Sequence, residues 1–146
     1  MKKILGVYAG ILVIVFIVFS LFDFGGDYAI EKKLWRLNKE YAEIVRDPAA
    51  TPLNAYDRLI VKYQKVIRNH PRSRLIPGVE LMIGQLYVAR KDLAGARKVF
   101  ISVAQKYSKS PEVTAEAMAN LGKTYEIADD WAGAEKIYGE IMQKYP

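Results

Sequence analysis

The stretch IGQLYVARKDLAGARKVF at residues 83–100 returns at residues 121–138 as LGKTYEIADDWAGAEKIY. The two copies share a glycine, a tyrosine, an Ala-Gly-Ala triplet and a final aromatic residue at the same intervals. Such a repeat decides the fold, because each copy is one supersecondary unit that must stack on a neighbour to bury its apolar side. The intervals suit pairs of antiparallel helices, in which small residues such as Gly84 and Ala96 permit close approach while the aromatics fill the remaining space. The sequence therefore predicts an all-α solenoid.

The pattern of Ile/Leu-Gly, Tyr, Ala and aromatic positions, closed by Pro146, resembles the tetratricopeptide repeat, a pair of helices. The resemblance covers roughly residues 77 to 146 as two repeats. Two positions depart from the family's pattern. Met118 stands where tryptophan is frequent, and Ser108 stands where proline is usual, followed by an insertion that delays Pro111. The insertion lengthens one turn and leaves the helical pairs intact.

A degenerate hairpin precedes these repeats. Apolar residues at helical spacing predict one helix over about 28–46 and a second over 53–70. The segment between them, residues 47–52, contains two prolines and cannot be helical throughout. We therefore expect about three hairpins, a degenerate one within 27–76 and two regular ones within 77–146.

Start signals support the boundaries of the later helices. Proline suits a first helical position, which fits Pro77 and Pro111. Ser110 is a suitable N-cap for the helix that follows it, and Asp92 and Asp130 are expected to cap the second helix of each repeat.

The N-terminus carries an uncharged apolar run from Ile4 to Phe22. As a helix this run is roughly 28 Å long, close to the ~30 Å hydrocarbon core of a bilayer. Two lysines precede it, so a cleaved signal peptide is the alternative interpretation. The length of the run, the aromatics that continue beyond it and the lack of a small-residue cleavage site favour an uncleaved anchor. We assign residues 1–26 to a transmembrane helix followed by a glycine hinge.

Charges beside the run bear on its orientation. Lys2 and Lys3 favour a cytoplasmic N-terminus, and Asp23 and Asp27 follow the other end. Further basic residues between 32 and 39 weaken this asymmetry. We expect a single-pass protein of the inner, cytoplasmic membrane with periplasmic or extracytoplasmic repeats.

The formal net charge is +6, and the excess lies on the repeat part of the chain. One face of the predicted helix over 53–70 is basic, and two interpretations stay open: a solvated face, or a face that meets anionic lipid headgroups or an acidic partner. No nucleic-acid-binding motif accompanies it, so nucleic acid is not expected. The residues of this basic face are Arg58, Lys62, Lys65 and Arg68.

Catalytic and metal-binding signals are weak. The chain has no cysteine and a single histidine, His70, for which packing at a helix end is the expected role. Gly122-Lys123-Thr124 matches the end of a phosphate-binding loop, but alanine stands at 117 where that loop needs glycine, and a helix is expected where a strand must precede it. We predict a protein that is not an enzyme and has no cofactor.

The resemblance also implies a binding surface. In this family the first helices of the hairpins line a concave face that holds a peptide or helix of another protein. The mixture of residues here is more apolar than a carboxylate clamp, so a helix or apolar strip of a partner is the expected ligand. The residues implied are Leu81, Gln85, Val88, Ala89, Glu116, Ala119, Asn120, Lys123 and Ile127.

The last helix adds an expectation of self-association. The chain stops at Pro146, where a repeat closes, and solenoids normally shield a terminal apolar face with a polar cap. Apolar side chains of the last helix are then expected to be partly uncovered, which predicts self-association or docking of another subunit. The alternative is that the charged residues of that helix make its outer face polar enough.

The layout is similar to that of membrane-anchored repeat proteins of the bacterial envelope. The sequence predicts a single-pass, membrane-anchored adaptor that binds partner proteins and helps to assemble or hold a complex at the membrane. The alternative is a structural accessory subunit of a larger membrane complex, recruited mainly through its transmembrane helix. Gly6 and Gly10 have the spacing that permits such a helix contact.

Overall fold

The computed structural model describes residues 26–145, and within that range the chain forms six α-helices joined by short turns. The all-α prediction is confirmed, and the two helices predicted before residue 77 lie where they were expected. The boundary between two compact units of the chain falls between Trp35 and Arg36. In chain order the helices are α1 (Gly26–Arg46), α2 (Leu53–Asn69), α3 (Ile76–Ala89), α4 (Leu93–Lys106), α5 (Pro111–Glu126) and α6 (Trp131–Lys144).

From α2 to α6 the helices stack in chain order. α3 packs on α4 and α5 on α6 to form the two regular hairpins, and α2 on α3 and α4 on α5 join one hairpin to the next. α3 also contacts α5, so the first helices of the two regular hairpins are neighbours. Side-chain bonds hold α1 to α2, since Tyr63 Oη donates to Asn38 Oδ1 at 2.7 Å and Lys62 Nζ bonds Glu40 Oε1 at 2.6 Å. This arrangement is consistent with a tetratricopeptide-like solenoid.

The segment between α1 and α2 is non-helical, as its two prolines predict. Thr51 Oγ1 donates to the Asp47 carbonyl at 2.8 Å and lies 3.0 Å from the Ile44 carbonyl. The Ala50 amide donates to Asp47 Oδ1 at 3.1 Å. The threonine hydroxyl thus serves the carbonyls of Ile44 and Asp47, which the end of α1 leaves without a helical partner.

The turns inside the two regular hairpins share one geometry. Asp92 and Asp130 cap α4 and α6 as predicted, accepting the Gly95 amide at 2.8 Å and the Gly133 amide at 2.9 Å. The Gly95 bond, with a further one from Arg90, lowers the pKa of the Asp92 carboxyl below its ordinary value.

A left-handed backbone residue precedes each of these caps. The φ angle is 66° at Lys91 and 57° at Asp129, and the two positions are equivalent in the repeat. Neither residue is glycine, so each turn holds a conformation that an L-residue adopts at some cost. The two hairpins therefore share the same backbone conformation at this turn as well as similar side chains.

The turn before α5 differs from the prediction in one respect. Ser110 occupies the N-cap position, but its side chain makes no capping bond. Thr114 Oγ1 bonds two carbonyls of the turn instead, Tyr107 at 2.8 Å and Ser110 at 2.9 Å. The inserted residues are thus tied to the first turn of α5 by a threonine.

Phe100 lies at the centre of the regular hairpins. Its ring covers Gly84 of α3 so closely that a Cβ on this glycine would overlap the ring. Tyr138 covers Gly122 in the same way in the next hairpin, where the Cβ would lie 2.6 Å from the ring. The aromatic thus fills the gap within its own hairpin as well as facing the next one. The buried cluster around Phe100 consists of Leu81, Ala96, Phe100, Val103, Ala117 and Leu121.

We expect Gly84→Ala to destabilise the repeats by about 1–3 kcal/mol, because the new methyl group must displace a buried ring. Gly139→Ala is the matched control. This glycine also lies inside a helix, but nothing stands within 4 Å of its Cβ position. That control should gain about 0.5–1 kcal/mol, the difference between alanine and glycine in a helix interior. Urea unfolding measures both changes, and a stabilised Gly84→Ala protein would contradict the observed packing.

Within residues 26–145, none of the helices combines the length and the apolar character needed to cross a bilayer. The predicted span at Ile4–Phe22 lies outside the described residues. Gly26 of the predicted glycine hinge is the first residue of α1. Gly25, the other residue of the hinge, lies outside the described residues.

Candidate partner-binding groove

The first helices of the three hairpins, α1, α3 and α5, line a groove with a volume of about 420 Å³. The turn after α1 and the residue after α5 also contribute to the lining. The lining residues are Tyr41, Val45, Pro48, Gln85, Val88, Ala89, Asn120, Lys123, Thr124 and Ile127.

The sequence prediction and the groove overlap in six residues of α3, α5 and the position that follows α5. These are Gln85, Val88, Ala89, Asn120, Lys123 and Ile127. Their role in binding a partner stays a prediction.

Three of the predicted residues do not line the groove. Placing Leu81 on the concave surface was wrong, because its side chain is buried against Phe100 and Leu121 in the core. Glu116 and Ala119 are exposed on α5 but lie outside the groove lining. The helical period explains both results, since α3 and α5 also pack against α4 and only part of each helix faces the groove.

Sequence reasoning missed four groove residues. Tyr41, Val45 and Pro48 belong to the degenerate hairpin. The sequence predicts the first helix of this hairpin correctly, but the predicted binding surface does not include that helix. The rule that first helices line the concave face would have identified Tyr41 and Val45. No sequence signal marks Thr124 as a groove residue. Its side chain is buried, and it still belongs to the lining of the groove.

The groove combines an apolar floor with polar groups around it. Val88 and Ala89 are half-buried, while Ile127 keeps 49% of its surface exposed. Asn120 is held in place by a bond from its Nδ2 to the Glu116 carbonyl at 2.9 Å. An apolar surface with a few oriented polar groups is typical of a site that accepts apolar side chains and fixes their direction.

Tyr41 contributes an aromatic side chain to one wall of the groove. Its side chain is half-buried, and burial raises the pKa of its hydroxyl, with a smaller contribution from Tyr56. The hydroxyl is therefore neutral at physiological pH and can donate a hydrogen bond to a ligand.

Arg97 fastens α4 to α5 behind the groove. Its Nε donates to Thr124 Oγ1 and its Nη2 to the Thr124 carbonyl, both at 3.0 Å. The guanidinium also lies 3.8 Å from the centroid of the Tyr125 ring. Thr124 Oγ1 in turn donates a hydrogen bond to the Leu121 carbonyl at 2.7 Å. Arg97 thus holds the C-terminal half of α5, which carries Lys123 and is followed directly by Ile127.

Arg97→Ala is expected to cost about 1–3 kcal/mol of stability, because it removes two charge-assisted bonds and leaves the buried Thr124 hydroxyl without its donor. The neighbouring exposed Lys98→Ala should change stability by less than about 0.5 kcal/mol. Thermal unfolding followed by circular dichroism measures both variants. Equal effects of the two substitutions would contradict the fastening role of Arg97.

The predicted basic face lies on the exposed side of α2. Arg58, Lys62, Lys65 and Arg68 are all exposed, and Lys62 is engaged with Glu40 of α1. The ion pairs among the described residues do not include Arg58, Lys65 or Arg68. The charges of these three side chains are therefore available for a further contact. Contact with lipid or an acidic partner stays a prediction.

The last hairpin leaves part of its apolar surface open. Met142 and Trp131 of α6 are exposed, and Ile137 and Ile141 are partly so. This placement agrees with the expectation for the last helix, while self-association itself stays a prediction.

His70 is the C-cap residue of α2, and its amide donates to the Val66 carbonyl at 3.0 Å. This is the helix-end position expected for it. In the part of the chain that the structure describes, no group of three or more His, Asp and Glu side chains is arranged to hold a metal ion.

The geometry defines a helical-repeat protein with a groove along its first helices. Residues 79–110 match the model of the tetratricopeptide repeat family. The matched range takes in nearly all of α3, the whole of α4 and the turn before α5, and α5 and α6 repeat the same capping and packing. The match supports the tetratricopeptide assignment, and such repeats are generally modules for protein–protein interaction. A comparison with curated proteins finds no match.

Proposed function

We propose that this protein is an adaptor that binds a partner protein in the groove of its first helices and helps to hold a complex at a membrane. The observation that carries the proposal is the groove itself, a largely apolar site to which three successive hairpins contribute. Ile127 is the clearest sign, because a large apolar side chain at the end of α5 keeps 49% of its surface exposed inside a concave site.

The shape and chemistry of the groove favour an amphipathic helix or an apolar strip of a partner. Its volume of about 420 Å³ is enough for several apolar side chains. A helix presents such side chains at positions i, i+3 or i+4 and i+7 along one face, which suits a groove lined by residues of three first helices. Polar groups of Gln85, Asn120 and Lys123 would then fix the direction of the bound segment.

The proposal includes an anchor. The uncharged run from Ile4 to Phe22 is long enough for a span, and the charges around it favour repeats on the extracytoplasmic side of the inner membrane. The basic face of α2 would then have anionic headgroups within reach, because it is early in the chain. The alternative is an accessory subunit held in its complex by the span alone.

Affinity purification in a mild detergent separates these functions. The full-length protein is compared with a variant that lacks residues 1–25, and recovered proteins are identified by mass spectrometry. An adaptor retains its partners through residues 26–146. Partners that are lost with residues 1–25 would contradict recruitment by the groove and favour the accessory subunit.

A further inference from the structure

α1 presents two aromatic side chains to solvent on one side. Tyr28 is 70% exposed and Trp35 is 58% exposed. Residues seven apart lie almost above one another on a helix, and Lys32, also exposed, falls between them. Ile30 points to the opposite side and is buried. The exposed aromatics therefore lie on the side of α1 opposite to the buried Ile30.

The chemistry of this set is that of a membrane interface. Tyrosine and tryptophan are enriched at the level of the headgroups, where a ring sits in a partly apolar layer and its polar atom stays hydrated. A lysine between them adds attraction to anionic lipids.

The length of chain between the candidate span and α1 makes such a contact possible. Tyr28 follows Phe22 by six residues, which reach about 9 Å as a helix and no more than about 20 Å when extended. Trp35 lies roughly 10 Å further along the axis of α1. Were α1 perpendicular to the membrane, Tyr28 alone would reach the headgroups, whereas both rings reach them if this part of the helix lies along the surface.

We propose that the face of α1 bearing Tyr28, Lys32 and Trp35 lies on the lipid surface, with residues 28–35 running along the headgroup layer. This inference rests on the anchor of the proposed function. It goes beyond it by assigning a second membrane contact and by fixing the direction in which the chain leaves the bilayer.

The chain provides its own matched pair of fluorescent probes. Its two tryptophans are similarly exposed, Trp35 at 58% and Trp131 at 65%, but Trp131 lies at the start of α6. Trp131→Phe leaves Trp35 as the single reporter, and Trp35→Phe leaves Trp131. Each full-length protein is reconstituted into vesicles of phosphatidylcholine and phosphatidylglycerol, with or without bromine near the upper part of the acyl chains. Flotation on a density gradient is measured on the same samples.

We expect both proteins to float, and the brominated lipid to quench Trp35 by about half while it leaves Trp131 almost unchanged. Floating protein in which Trp35 is not quenched would overturn the surface contact and leave the anchor standing. Equal quenching of both tryptophans would also overturn it, because the contact would not be specific to α1. Protein that fails to float would overturn both the anchor and the surface contact.

Discussion

Phe100→Ala is expected to lower the free energy of unfolding by about 3–5 kcal/mol, the usual cost of emptying a buried aromatic site. The side chain is fully buried, covers Gly84 within its own hairpin and belongs to the cluster that includes Ala117 and Leu121 of the next one. Its removal therefore weakens a hairpin and the interface between hairpins together. Urea unfolding, followed by circular dichroism at the helical band, measures the loss.

Ile101→Ala is the control for this prediction. Ile101 is the next residue of α4 and keeps 40% of its surface exposed, so its truncation should cost less than about 1 kcal/mol. A small effect of Phe100→Ala, similar to that of the control, would contradict the assigned repeat register.

Ile127→Asp is expected to weaken partner binding at least about tenfold, equivalent to roughly 1.4 kcal/mol, because it places a charge in the apolar floor of the groove. The residue is not part of the core, so the helix content should be unchanged. The readout is the amount of each partner that co-purifies with the full-length variant, relative to the unsubstituted protein.

Ile101→Asp makes the matched comparison. It changes the same residue type to the same charge at a site of similar exposure, 40% against 49%, but on the second helix of a hairpin and outside the groove. Partner recovery should be close to that of the unsubstituted protein. Equal losses in the two variants would show that the groove has no special part in binding.

Self-similarity made most of the fold predictable. Once residues 83–100 and 121–138 were aligned, the caps at Asp92 and Asp130 and the close approach at Gly84 followed from residue type and position. The degenerate hairpin was also predictable, because the period of its apolar residues and the two prolines of its turn are local signals.

The groove was only partly predictable. The family geometry identifies which helices line the concave side, but the limit between groove and core depends on how each helix is rotated against its neighbours. That rotation is why Leu81 is a core residue although Gln85, one turn further on, reaches the groove. The link from Arg97 to Thr124 joins residues 27 positions apart and follows no periodic pattern.

Site-specific photo-crosslinking reports directly on what the groove contacts. A photoreactive amino acid replaces Val88 in the groove or, in the control, the exposed Val61 of α2, which lies outside it. The full-length proteins are irradiated in cells of the source organism, and the adducts are identified by mass spectrometry. If the groove binds a partner protein, we expect a defined protein adduct from position 88 that is absent at position 61. Adducts that form at position 61 but not at position 88 would contradict a groove that binds the partner.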